Sequence, residues 1–202
     1  MLGSITPLGE RSRNRRWGVT VAAYLAGSTL GGALIGAALG GIGAVLPLTG
    51  GMTVGARLGA LAVAAAVGLA FDLRLGGLRL PTVRRQVNQD WIVTYRGWVV
   101  GLGFGLQLGM GVVTIVTTSA VYVMLLAAFL SGGAATGAVI AGAFGLARAS
   151  VLLSVAGVKR PEQLGRVDAV LRRWDRWTRQ AALAAAGALT LAFAAGAARW
   201  AS

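Results

Sequence analysis

From Trp17 to Leu48 the chain runs without one charged residue. A helix of that length, apolar on every side, has no place in a water-soluble domain. About 20 apolar residues rising ~1.5 Å each match a hydrocarbon core of ~30 Å. Three further stretches carry no acidic residue, namely Thr53 to Phe71, Gly97 to Leu130 and Ala134 to Val158, and a fifth follows from Ala181 to Ala198. The sequence therefore predicts an all-α fold: a polytopic integral membrane helix bundle of about five spans. Between paired spans the turns are short, Leu48-Thr-Gly-Gly-Met-Thr53 and Leu130-Ser-Gly-Gly-Ala134, where glycine permits a reversal that other residues resist.

Charge orients these spans. The net charge of +13 would point to nucleic acid in a soluble chain, but here the basic residues lie between apolar stretches and read as topology signals, with no nucleic-acid partner expected. Four sit in the amino-terminal tail (Arg11, Arg13, Arg15, Arg16), five between Arg74 and Arg96, and seven between Lys159 and Arg179, while the Gly-Gly hairpins have none. The positive-inside rule places the amino terminus and both basic loops in the cytoplasm of a cell-membrane protein. Residues 1–16 form a basic tail and 17–202 one transmembrane domain.

The lengths of Trp17 to Leu48 and Gly97 to Leu130 raise an alternative of six spans, in which one of them is two crossings. Splitting Gly97 to Leu130 would move the loop of seven basic residues to the far side, against the charge bias, so a single tilted or kinked helix is preferred in each case, with a break at the glycine clusters as the other way to accommodate the length. Arg15-Arg16-Trp17 has the look of a secretion signal, yet the apolar run exceeds a 7–15-residue signal core and is read as an uncleaved anchor. Two halves, 17–96 and 97–180, share Leu48-Thr-Gly-Gly51 with Leu130-Ser-Gly-Gly133, and Pro81, Val87 and Asn88 with Pro161, Val167 and Asp168. That correspondence suggests an internal repeat.

Each basic loop is amphipathic at helical spacing: Val83, Val87, Trp91, Tyr95 and Trp98 share one face, as do Leu164, Val167, Leu171 and Trp174. Two cytoplasmic interfacial helices are expected, with Arg84 and Arg85 in one and Arg172, Arg173 and Arg176 in the other set against anionic lipid headgroups. Within the spans, Gly32, Gly36 and Gly40 fall on one helix face and Gly101, Gly105 and Gly109 on another. Small faces let helices approach closely in lipid, so these rows are read as helix-packing surfaces; a homodimer contact or a glycine-lined solute path is the alternative.

With no Cys and no His, the chain has no disulfide, thiol relay or imidazole base. No metal or other cofactor is expected, and no nucleophile–base pair marks it as an enzyme. All six acids, Glu10, Asp72, Asp90, Glu162, Asp168 and Asp175, fall outside span interiors. Arg148 does not: it sits within Ala134 to Val158 with no acid on any span to pair with. A central Arg costs ~2.5–3.5 kcal/mol on insertion scales, so something must compensate it. Candidates are Gln107, the hydroxyls of Thr114, Thr117, Thr118 and Ser150, backbone carbonyls, water, or an anionic solute. Arg148, Gln107, Thr114 and Thr117 form the expected substrate site.

Tyr24-Leu-Ala-Gly27 and Val45-Leu-Pro-Leu48, with Phe104-Gly-Leu106 and Leu126-Ala-Ala128 leading into Ser131-Gly132, resemble the helix flanks of the cytochrome c biogenesis/DsbD-type thiol-transporting membrane proteins. That family's reactive cysteines and adjoining prolines are absent, so no functional residue carries over. The resemblance implies kinship with a wider group of small exporters built on an inverted three-plus-three fold. The functional expectation is a transporter or exporter of a small anionic solute. The alternative is a non-transporting scaffold or assembly subunit that docks a partner protein or anionic lipid.

Overall fold

The computed structural model describes residues 7, 10, 16–77, 95–111, 118–155 and 161–200, with side chains described at all of these except 48, 76, 154–155 and 161–179. Among the described residues the regular structure is entirely helical. In chain order come α1 (Trp17–Val45), a short turn of helix α2 (Pro47–Gly50), α3 (Val54–Asp72), α4 (Gly97–Met110), α5 (Ala120–Leu130), α6 (Ala134–Ser150) and α7 (Pro161–Arg199). Short 3-10 turns follow α3 at Leu75–Gly77 and α6 at Val151–Val155. Four stretches are long and apolar enough to cross a membrane: Trp17–Val45, Val54–Asp72, Ala134–Leu153 and Gln180–Arg199. Helices α4 and α5 are apolar but shorter.

Helix α1 lies at the centre, and small residues decide what it touches. On one side Gly101, Gly105 and Gly109 of α4 face the carbonyls of Thr20, Tyr24 and Ser28, while Gly27 and Gly31 of α1 face those of Leu102 and Leu106. Both sets of numbers rise together, so α4 runs parallel to α1. On another side Gly32, Gly36 and Gly40 face the carbonyls of Ala141, Gly137 and Gly133, and α6 is therefore antiparallel. At each of these glycines a Cβ would collide with the facing carbonyl oxygen. The hydrogen that stands in its place points at that oxygen instead. Such Cα–H···O contacts are worth about 0.5–1 kcal/mol each, and they are made where lipid removes any hydrophobic drive between helices.

The three helices meet at Ser28, which is fully buried. Its carbonyl faces Gly109 of α4 and Gly145 of α6, and its hydroxyl donates to the Gly145 carbonyl at 2.8 Å. Beside this junction Val21, Tyr24, Val100, Phe104, Ala149 and Leu152 form the apolar core, with Trp17, Leu25 and Leu108 packed against it. Large apolar residues face outward instead: Leu30, Leu34, Ile42 and Val45 on α1, Val63 and Val67 on α3, Val139 on α6. Small inside and large outside is the arrangement suited to lipid.

Two expectations need correction. Gly97 to Leu130 is not one helix: α4 ends at Gly111, whose φ of 72° leaves the helical path, and α5 begins at Ala120. Met110-Gly111 is followed by Val112-Val-Thr-Ile-Val-Thr-Thr118, seven β-branched residues whose stiff side chains disfavour helix. Helix α5 still continues in the direction of α4, since its last turn (Ala128, Phe129) meets Gly40 and Gly43 near the end of α1. Likewise, the second basic loop does not form a separate interfacial helix. Residues 161–179 belong to the same unbroken 39-residue helix as the apolar segment after them, because no proline or glycine interrupts Arg166 to Ala186. A helix continuous with a segment long and apolar enough to cross a membrane is one element with it, not a separate interfacial one. The first basic loop, 78–94, with Arg84 and Arg85, lies outside the described residues.

The backbone contacts at the glycines set a stability expectation. Gly36→Ala and Gly105→Ala should each lose about 1–3 kcal/mol or more through overpacking, with Gly105→Leu failing to give a monodisperse folded protein. Gly59 has open space around its Cβ position, so Gly59→Ala should be neutral or stabilising by up to about 1 kcal/mol. Thermal unfolding in detergent, read beside the elution profile, checks the set; equal midpoints for Gly36→Ala and Gly59→Ala would contradict it.

Candidate functional site

Two charged side chains from other helices meet the facing ends of α4 and α5, Arg148 at one and Asp72 at the other. A helix end leaves carbonyls without partners at its carboxyl terminus and N–H groups without partners at its amino terminus, with partial negative and positive charge respectively. A gap in an apolar environment exposes one end of each kind. Opposite charges from two other helices meet them.

At the end of α4, Arg148 donates from Nη1 to the Leu108 carbonyl at 3.3 Å, an oxygen that also accepts from the Gly111 N–H. Arg148 itself sits in the last turn of α6, so one guanidinium serves the negative ends of two helices. The Tyr24 phenol lies within its electrostatic reach. Of the partners the sequence left open for Arg148, the structure shows a backbone carbonyl, that of Leu108. Gln107 is on the same turn of α4 and half-buried, but the guanidinium bonds to the residue after it. The Ser150 hydroxyl is engaged with the Ala147 carbonyl of its own helix. Thr118 is exposed, and Thr114 and Thr117 lie outside the described residues.

At the start of α5 the partner is Asp72, the last residue of α3. Its carboxylate accepts from the Ser119 N–H at 3.0 and 3.2 Å and from the Ser119 hydroxyl at 2.7 Å. Ser119 is the residue before α5, where a side chain usually caps its own helix; here it makes no such bond and the cap comes from another helix. Gly68, one turn before Asp72, lets α3 come this close, since a Cβ there would stand 2.7 Å from the Ser119 Cβ and Oγ. Reading depth along each span from its own ends put Asp72 at the periphery. The structure brings it to the gap instead. The signals that could have found it are Gly68-x-x-x-Asp72 and the β-branched run after Gly111.

Two other charged residues have structural partners. Arg57 donates from Nη2 to the Thr49 carbonyl at 2.7 Å, and its guanidinium lies close to Gly132, whose φ of 63° makes the second hairpin. It therefore stands between the two Gly-Gly turns, which share one end of the molecule. Thr49 also donates to the Gly43 carbonyl, closing the first turn on α1. Glu10, which the sequence placed in a cytoplasmic tail, is buried and accepts from the Thr20 hydroxyl at 2.6 Å, in the first turn of α1. Arg172, Arg173 and Arg176 lie on the amino-terminal half of α7. Among the described residues, no three acidic, Cys or His side chains come together as a metal site.

The glycine rows, including Gly32, Gly36, Gly40, Gly101, Gly105 and Gly109, are closed by neighbouring backbone rather than lining an open path. Sequence reasoning missed their partner on α6, a row of Gly133, Gly137, Ala141 and Gly145 at the same four-residue spacing.

No family model matches the chain, and no solved structure does. Curated relatives do match. The chain is 38% identical over 178 residues to the methylamine utilization protein MauF of Paracoccus denitrificans, covering 86% of this chain and 60% of that protein. It is 36% identical over 148 residues to MauF of Paracoccus versutus, covering 71% of this chain and 53% of the relative. With MauF of Methylophilus methylotrophus it shares 32% identity over 197 residues, 96% of this chain and 65% of that protein. The chain spans about three-fifths of the length of the relatives it matches. These relatives overturn the resemblance to cytochrome c biogenesis/DsbD-type proteins, which rested on short apolar flanks that any Ala- and Gly-rich span can supply. They also overturn the expectation of a small-solute transporter or exporter, because what this chain is similar to is named for methylamine utilization.

Proposed function

We propose that this chain is a membrane-embedded accessory or assembly subunit of a methylamine utilization system, acting by docking a partner protein rather than by moving a solute or catalysing a reaction. The observation that carries this reading is the similarity to MauF, which extends over 86% of the chain in one relative and 96% in another. In this reading the bundle crosses the membrane five times, with α4 and α5 together making the third crossing. The amino terminus and both basic connections are cytoplasmic, as their charge requires. Helix α7 then extends about 28 Å beyond its apolar segment, at ~1.5 Å for each of residues 161–179. This half carries Arg172, Arg173 and Arg176 and suits a partner with acidic surface, while Arg84 and Arg85 suit anionic headgroups. A homodimer through Gly32, Gly36 and Gly40 would need a face that α6 already covers.

Deleting the gene from its host should abolish growth on methylamine while leaving growth on other substrates intact, and the full chain should restore it. A chain with Arg172, Arg173 and Arg176 all changed to Gln should reach the membrane at normal levels yet fail to restore growth. Normal growth of the deletion strain on methylamine would overturn the reading.

With Arg148 assigned to helix ends rather than to a solute, its charge sign governs stability. Arg148→Lys should keep most of the thermal midpoint, and Arg148→Ala should lose about 1–3 kcal/mol through the missing charged hydrogen bond. Arg148→Glu should lose more than Ala, since it sets an anion against two helix carboxyl termini. Equal unfolding midpoints for the Ala and Glu variants in detergent would remove the helix-end role.

A further inference from the structure

The gap between α4 and α5 is held from two different parts of the molecule. Its α4 side is tied by Arg148 to α6, and α6 is locked to α1 at every glycine of its small row. Its α5 side is tied by Asp72 to α3, whose other end is held by Arg57 between the two hairpins. Helix α3 packs against α7, where Gly55 meets Ala197 and Trp200, and Gly196 meets Leu58. No residue of α7 from Gln180 to Arg199 is buried. Helices α3 and α7 form a peripheral pair that meets α5 at Gly68 and Asp72, facing Ser119 and Val123.

We propose that the Asp72–Ser119 contact is a coupling latch, joining the peripheral α3–α7 pair to the start of α5 so that displacement of the pair is transmitted to the first turn of α5. The chemistry favours two discrete states over a gradual one. With the latch closed, one carboxylate satisfies both the Ser119 N–H and its hydroxyl; with it open, all three groups need water in the apolar interior. Helix α5 has 11 residues, and its first turn is where a helix frays. The amides that close that turn, Tyr122 and Val123, donate to the Ser119 carbonyl at 2.9 and 3.2 Å, directly behind the latch. In the accessory role proposed above, on which this step alone rests, a partner bound to the extramembrane half of α7 would act on the start of α5 through Asp72. The latch itself is testable with no partner present.

The chain contains no cysteine, so spin labels can be placed singly on the full protein in lipid nanodiscs. Labels at Val63→Cys on α3 and Val139→Cys on α6, both well exposed, report the peripheral pair against the core. Labels at Leu34→Cys and Val139→Cys report the core alone. Asp72→Ala should broaden the first distance distribution, leave the second unchanged, and raise hydrogen exchange at Tyr122 and Val123 about tenfold. Ser119→Ala keeps the backbone half of the contact and should produce a smaller change of the same kind; it also serves should Asp72→Ala not fold. Faster exchange in α5 with an unchanged α3–α6 distance would overturn the coupling. So would broadening of the core distance as well, since the contact would then be a general structural support, and so would no change in either measurement.

Discussion

The whole arrangement depends on backbone touching backbone along α1. A helix in lipid gains nothing by hiding leucine from its surroundings, so its partners must be held by contacts that lipid cannot offer. Glycine supplies them by presenting a Cα hydrogen to a carbonyl of the next helix. Along α1 these contacts come in two rows, one reaching α4 and the other α6, and both rows pass through the neighbourhood of Ser28. Each is weak alone, but they are made in register, and a side chain at any one of them would push the helices apart at all of its neighbours.

Such close packing leaves little tolerance for polar groups, and the gap after Gly111 introduces several. Its cost is contained because each exposed helix end meets a side chain of opposite sign. Arg148 illustrates how the magnitudes balance. The insertion penalty of ~2.5–3.5 kcal/mol for a central Arg is matched by a charged hydrogen bond of ~1.5–3 kcal/mol together with the field of two helix carboxyl ends, up to ~2 kcal/mol in partly buried sites. Asp72 is the mirror case, a carboxylate at a helix amino terminus that its own helix could not have stabilised.

Much of the helical layout was legible in the sequence, and the reason is that apolar length, glycine turns and the absence of acids are all local signals. What was not legible is pairing. The row Gly32, Gly36, Gly40 announces a small face, yet nothing in it says that the face belongs to Gly133, Gly137 and Ala141 rather than to the equally regular Gly101, Gly105 and Gly109. Asp72 was misplaced for a related reason. Its depth was judged along α3 alone, whereas what decides its role is where another helix begins, and α5 begins only at Ala120, after α4 has ended at Gly111. Helix α7 shows the opposite error, a change of polarity at about Gln180 taken for a change of element when the backbone continues through it.

The same contacts that hold the core also bear on what it can do. A path for a solute along α1 would need its glycines to face an opening, but the facing carbonyls lie closer than a methyl group would allow, leaving no width for a water molecule. Widening that seam would break the contacts that replace the hydrophobic effect in lipid, with nothing in the helix faces to compensate. Freedom to move is therefore greatest in the elements that glycine contacts do not bind to α1: the α3–α7 pair, held at one end by Arg57 between the two hairpins and at the other by Gly68 and Asp72 against Ser119 and Val123. A rigid centre with a loosely attached helical arm is poorly suited to alternating access, which requires the centre itself to open, and well suited to a subunit that responds to what its arm has bound.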